Sequence, residues 1–229
     1  NEQMNPTKAI EYYNKAIDID PECEHSYFSL GTAYIYQNYY TGDKNDIKEG
    51  IKCYDKVLEI NHQIYLGIYK MLGDAYLKLE KNNKAIEFYN KAINIVEVYD
   101  KKDIYIGTGL AYKNKENFSK AIENYEKVIY IDPEHPFIYT LLGDVYLQLD
   151  KVEDAIEYYR KAINVHPTCD GYNQMSIGDA LIKMGVFGAA ISYYKSAIKS
   201  NSYDNYSQID PEDNPNNSVI YSRIAKVLS

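Results

Sequence analysis

Apolar residues recur along this chain at i, i+3, i+4 and i+7, the spacing that gathers them on one face of an α-helix. Two such blocks alternate. The first, designated B, is a small residue and Ile, then Tyr, then a small or β-branched residue and another aliphatic. It reads Ala9-Ile10…Tyr13…Ala16-Ile17, and returns at Gly50-Ile51…Tyr54, Ala85-Ile86…Tyr89, Ala121-Ile122…Tyr125, Ala155-Ile156…Tyr159 and Ala190-Ile191…Tyr194. Successive copies begin 41, 35, 36, 34 and 35 residues apart. The second block, designated A, sets Tyr ahead of an aliphatic-Gly pair and a further Tyr: Tyr27…Leu30-Gly31…Tyr34, Tyr69…Leu72-Gly73…Tyr76, Tyr105…Thr108-Gly109…Tyr112 and Tyr139…Leu142-Gly143…Tyr146. Degraded copies follow at Ile177-Gly178…Leu181, with Gln174 at the first aromatic site, and at Tyr221…Ile224-Ala225…Leu228.

The chain is therefore predicted to alternate A and B helices. Pro21, Pro133 and Pro167 stand where B helices should end, since proline cannot continue a helix without losing a backbone bond. A mid-helix Gly costs about 1 kcal/mol against Ala, so its return in one column needs a packing reason. Small residues let two antiparallel helix axes approach while neighbouring Tyr and Leu fill the groove. The pattern resembles the tetratricopeptide repeat family, whose unit is a helix–turn–helix. That resemblance covers nearly the whole chain. It implies an all-α fold, a right-handed α-solenoid of antiparallel helix pairs, with A helices lining a concave surface on which partners lie as extended peptides or helices.

Breaks in register delimit the organisation. Residues 1–22 read as the B helix of an incomplete first repeat, 23–200 as five repeats, 201–217 as a polar loop, and 218–229 as a terminal A-type or capping helix. The step from Gly to the next B block is 12 residues except in the first repeat, where Gly31 to Gly50 is 19. The seven inserted residues lie near 37–47, around Tyr39-Tyr40-Thr41-Gly42-Asp43, and read as a longer A–B turn or a contact loop. Calcium binding there is not expected, because EF-hand ligand spacing is absent. The opening B helix without an A partner, and the missing Met at position 1, suggest a piece of something longer.

Composition narrows the function. The net charge of −8 sets nucleic acid and anionic lipid at a disadvantage. No apolar run approaches the roughly 18 residues of a membrane span, so a soluble, cytoplasmic protein is expected. Cys23, Cys53 and Cys169 are too few and too scattered for a disulfide framework. His25, His62, His135 and His166 sit near inter-repeat turns, and pairs such as Cys23/His25 or His166/Cys169 make no closed metal set. With no nucleophile-elbow, Walker or Rossmann motif, neither enzyme activity, metal nor cofactor is expected. Tyr is the compositional outlier, at 27 residues with no Trp.

Binding is the expected role. A stripe starting three residues before each Gly collects Lys70, Asp74 and Leu77; Leu110 and Lys113; Asp144 and Leu147; and Met175, Asp179 and Ile182. Converging carboxylates with apolar neighbours favour a protein or peptide bearing basic and apolar residues. Members of the resembled family that hold the acidic tails of the Hsp70 and Hsp90 chaperones use a clamp of Lys, Asn and Arg. At those positions this chain offers Lys70 alone, with Asp74 where Asn belongs, so that role is not expected. An interaction scaffold or adaptor leads; the alternative is a regulatory or targeting arm of a larger enzyme or complex.

Overall fold

The computed structural model describes residues 6–60, 67–95, 101–135, 137–165, 170–203 and 217–229. Among them are twelve α-helices and no strand. The chain divides into two compact units, residues 1–117 and 118–229. Unit one holds α1 (Pro6–Ile19), α2 (Glu24–Thr41), α3 (Lys44–Ile60), α4 (Ile68–Lys78), α5 (Asn82–Ile93) and α6 (Lys101–Asn114). Its pairs are α2 with α3 and α4 with α5; α1 packs on α2, and α6 on α5. Unit two holds α7 (Phe118–Ile131), α8 (Ile138–Gln148), α9 (Val152–Val165), α10 (Asp170–Lys183), α11 (Phe187–Tyr203) and α12 (Ser218–Leu228). There α8 pairs with α9 and α10 with α11, while α7 packs on α8 and α12 on α11. The unit boundary falls in the third repeat, between its A helix α6 and its B helix α7.

The glycine column has the packing reason its recurrence demands. A Cβ on Gly73 would lie 2.6 Å from the ring of Tyr89, on Gly143 2.5 Å from Tyr159, on Gly178 2.5 Å from Tyr194, and on Gly31 2.7 Å from Tyr54. Each of these four B-helix tyrosines thus lies in a notch of its A partner. Tyr54, Tyr89, Tyr125, Tyr159 and Tyr194 are all at most 1% exposed. Below them, Ala85, Ala121, Ala155 and Ala190 are fully buried, as the small B-block positions require. Gly107 adds a second notch: a side chain there would overlap the phenol end of Tyr89. Between helices, Tyr76 stacks on Phe88 (centroids 5.3 Å apart) and Tyr146 on Tyr158 (5.0 Å).

The A–B turns share a device that composition does not announce. Glu80, Glu116 and Asp150 adopt left-handed φ of 60°, 57° and 59°, where Gly185 has 74° and Gly42 has 66°. This geometry returns backbone N–H groups to the helix's last carbonyls. Lys81 N donates to Tyr76 O, Asn117 N to Tyr112 O, Lys151 N to Tyr146 O and Val186 N to Leu181 O, each at 2.9 Å. Three acidic residues therefore hold a conformation that Gly adopts without steric cost.

Two sequence expectations need correction. The insertion does not lengthen the turn; it lengthens the helices. Helix α2 has 18 residues and α3 has 17, against 11 in α4 and 12 in α5. The connection shrinks to Gly42-Asp43. Its local bonds explain why. Gly42 N donates to Asn38 O (2.8 Å), Asp43 Oδ1 accepts from Asn45 N (2.8 Å), and the buried Asp46 carboxylate accepts from Thr41 Oγ1 (2.6 Å) and Gln37 Nε2 (3.2 Å). Second, the polar stretch after residue 200 begins as helix, since α11 continues to Tyr203; residues 204–216 lie outside the described ones. Pro167 lies outside them too. No described helix is long and apolar enough to cross a membrane.

Gly143→Ala is expected to lower unfolding free energy by about 1–3 kcal/mol, because Tyr159 has no room to retreat. Glu116→Gly should raise it by up to about 1 kcal/mol by relieving the left-handed turn. Urea unfolding followed by circular dichroism measures both; a stable Gly143→Ala chain would refute the notch.

Candidate functional site

All ten stripe residues named from the sequence are partly exposed on A helices, neither buried nor fully solvated. They divide by unit. In unit one, Leu77 packs against the core of residues 47–111. Leu110 and Lys113 lie on α6. In unit two, Leu147 packs beside Tyr159 and Ile177, while Met175 and Ile182 pack against the cluster containing Tyr194 and Ile220.

The aspartates have internal partners. Tyr89 Oη donates to Asp74 Oδ1 at 2.7 Å, Tyr159 Oη to Asp144 Oδ1 at 2.9 Å, and Tyr194 Oη to Asp179 Oδ1 at 2.7 Å. Each donor lies 15 residues after its acceptor. The ring that fills the glycine notch thus delivers its hydroxyl to the residue following that glycine. In the first repeat the same place is Thr32, whose hydroxyl lies 3.3 Å from Tyr54 Oη. The third repeat breaks the series. In sequence, Leu110 stands fifteen residues before Tyr125, and the buried Tyr125 hydroxyl has no hydrogen-bond partner among the described residues.

Cations of the chain temper the stripe's acidity. Lys70 Nζ lies 2.9 Å from Asp74 Oδ2 and 3.8 Å from Asp103 Oδ2 in unit one. Arg223 of α12 pairs with Asp179 Oδ2 in unit two. The expectation of an open acidic stripe therefore gives way to carboxylates committed to tyrosines and, at Asp74 and Asp179, to a basic residue. Burial first, then the adjoining carboxylate, raises the pKa of Tyr89 and Tyr159 well above the usual tyrosine range; Tyr194 is raised too, by burial and its bond to Asp179.

Two aromatic residues outside the sequence-derived stripe occupy its edge. Phe137 and Tyr172 stand six residues before Gly143 and Gly178, and are 55% and 52% exposed. Tyr172 Oη donates to Asp144 Oδ1 at 3.3 Å, and Thr140 Oγ1 donates to Asn173 Oδ1 at 2.8 Å. These bonds join the A helices α8 and α10 side by side. Tyr172 thus presents an exposed aromatic ring beside a carboxylate, which suits side-chain recognition.

No group of three or more His, Cys, Asp or Glu among the described residues could hold a metal ion. Cys23 and Cys53 are free thiols, and burial pushes Cys53 up to about 11, away from nucleophilic use. His25 opens α2 and His135 lies in the α7–α8 turn; His62, His166 and Cys169 fall outside the described residues.

Family comparisons agree with this architecture. A family model described as TPR repeat matches residues 109–150, and models described as tetratricopeptide repeat match 136–169 and 5–23, 66–95 and 173–204. Together they span more than half the chain. Tetratricopeptide repeat protein 21B of Mus musculus is 42% identical over 65 residues, 28% of this chain and only 5% of that protein. Among solved structures, BtubC from P. vanneervenii superposes with TM-score 0.68 at 19% identity, covering 90% of this chain and 92% of that one. YrrB, described as a TPR protein with an unusual peptide-binding site, gives 0.60 at 15% identity, covering 95% and 99%. At those identities the likeness is one of fold.

The tyrosine–aspartate bond has a stability signature. Tyr89→Phe should cost about 1.5–3 kcal/mol, because it removes a hydrogen bond to a charged acceptor, whereas Tyr125→Phe should be neutral or stabilising by up to about 1 kcal/mol. Equal losses in urea unfolding would contradict the assignment. The raised tyrosine values also fix a pH window. A pKa higher in the folded than in the unfolded chain gives stability that is complete below the ordinary value near 10 and declines above it. Alkaline titration should therefore show helicity lost above about pH 10, together with the rise of phenolate absorbance; helices that persist through full tyrosine ionisation would refute the linkage.

Proposed function

The chain belongs to the tetratricopeptide repeat family, whose members serve broadly as protein-interaction scaffolds, and on that premise we propose that it holds a partner peptide or helix on the surface of its A helices. The role is that of a scaffold or adaptor, without catalysis or cofactor, and a cytoplasmic setting fits its free thiols. The observation that carries this reading is the exposure of Phe137 at the start of α8 and of Tyr172 on α10, the latter bonded to Asp144. Large aromatics half open to water contribute little to the fold, and rigid aromatic anchors dominate many binding interfaces.

Charge has a secondary part. Asp144 Oδ1 accepts from two phenols, and these bonds orient the carboxylate. A partner with an apolar or aromatic anchor and a basic residue is complementary to that locus. The likeness in fold to YrrB, with its peptide-binding site, supports the same class of ligand. A second reading, a targeting arm within a larger enzyme or complex, draws support from the small fraction of protein 21B that the matched segment represents.

The test is affinity capture from lysate followed by mass spectrometry, with Phe137→Asp and Tyr172→Ala beside the parent chain. Phe137→Asp should cost at most about 0.5 kcal/mol in stability and Tyr172→Ala about 1 kcal/mol through loss of its bond to Asp144, yet captured partner should fall about tenfold or more, as for an interface anchor. Undiminished capture by both folded variants would remove the second unit's A-helix surface from consideration.

A further inference from the structure

The insertion between the first A and B helices builds a surface that the A-helix stripe does not include. The last two turns of α2 extend beyond the length of α4, and their side chains divide into two rows. Gln37, Asn38 and Thr41 turn toward the α3 end, where they bond Asp46 and the Asp43 carbonyl. Tyr36, Tyr39 and Tyr40, spaced i, i+3 and i+4, form the other row. Tyr39 and Tyr40 are 69% and 66% exposed. The Tyr36 ring meets Tyr40 edge-on at 5.4 Å and Tyr39 at 6.3 Å, and Tyr40 Oη donates to Tyr36 Oη at 3.1 Å. The rings are thus held against one another on a helix whose end is pinned by the Asp46 bonds.

One occupant of this surface is already visible. Lys78, at the end of α4, sets its ammonium 3.6 Å from the centroid of the Tyr39 ring. That is close cation–π geometry, supplied by the chain to itself. We propose that the tyrosine row Tyr36, Tyr39 and Tyr40 is a second docking surface, which receives an arginine or lysine side chain of a partner protein, and that Lys78 occupies it in the free chain. Guanidinium is the better ligand of the two, being flat enough to stack and more weakly hydrated than ammonium. The net charge of −8 favours approach of a basic segment. Lys78 then acts as an internal competitor, reducing apparent affinity by the fraction of time it covers the ring.

The probe is an acetylated hexapeptide of alternating glycine and arginine, with its citrulline counterpart as a neutral control of equal shape. Ring resonances of 13C-labelled tyrosine are followed by NMR. Saturable shifts at Tyr39 and Tyr40 are expected with the arginine peptide and none with citrulline. Lys78→Met keeps the apolar stem but removes the charge, and should tighten binding about two- to fivefold, the range set by an exposed cation–π contact. Tyr39→Ala with Tyr40→Ala should abolish binding while helicity and capture through Phe137 and Tyr172 persist, which separates this surface from the A-helix site. Absence of shifts at millimolar peptide, equal shifts with citrulline, or weaker binding by Lys78→Met would each overturn the proposal.

Discussion

A phenol ring lodged in a glycine notch governs this molecule. The notch exists because Gly31, Gly73, Gly143 and Gly178 carry no Cβ, and the ring that enters it fixes how near the paired helices lie. Once the ring is seated, its hydroxyl has one exit, toward the residue after the glycine. An acceptor must stand there or a buried hydroxyl goes unsatisfied, which is costly. Asp74, Asp144 and Asp179 meet that demand with a carboxylate and Thr32 with a hydroxyl. Packing thereby dictates the polarity of a surface position that looks, in isolation, like a free choice.

This coupling changes the character of the A-helix surface. Its aspartates read as ligands for a basic partner when only spacing is considered. They are in fact oriented by tyrosines from behind and, at Asp74 and Asp179, neutralised by Lys70 and Arg223. Phe137 and Tyr172, by contrast, keep more than half of their surface open to water. The abundance of tyrosine follows from three separate uses: notch filling by Tyr89 and its counterparts, stacking within a helix pair by Tyr146 and Tyr158, and exposed rows such as Tyr39 and Tyr40.

The helix alternation was legible because periodicity and the Gly and Tyr columns are local signals repeated many times. The Tyr89–Asp74 bond was not, since its partners lie on two helices and the hydroxyl's direction depends on the notch. Phe137 and Tyr172 lie outside a stripe that starts three residues before each glycine, since they stand a turn earlier. The turns hid their geometry above all behind Glu80 and Glu116, since a non-glycine residue of that kind is uncommon in a left-handed backbone. The insertion misled through Gly42 and Asp43, whose turn signals are genuine but mark a two-residue connection. Ile47 is buried at 2%, and Asp46 is bonded to Thr41 and Gln37; these tertiary contacts extend helix into residues that composition assigned to loop.

The lengthened α2–α3 hairpin also bears on how an array of look-alike modules assembles without error. Helices built to one template present nearly interchangeable faces, so a nascent A helix could seat on the B helix of a neighbouring module, one step out of place. Helices α2 and α3 escape that degeneracy. Among the helices of the first unit, only with each other do their extra turns find a mate of similar length, and only there does Asp46 meet Thr41 and Gln37. Paired with a standard helix, either would leave a bare overhang and a buried carboxylate stripped of its donors, a costly mismatch. The hairpin is thus an index mark, a single non-repeating tooth from which the order of the modules beside it can be counted.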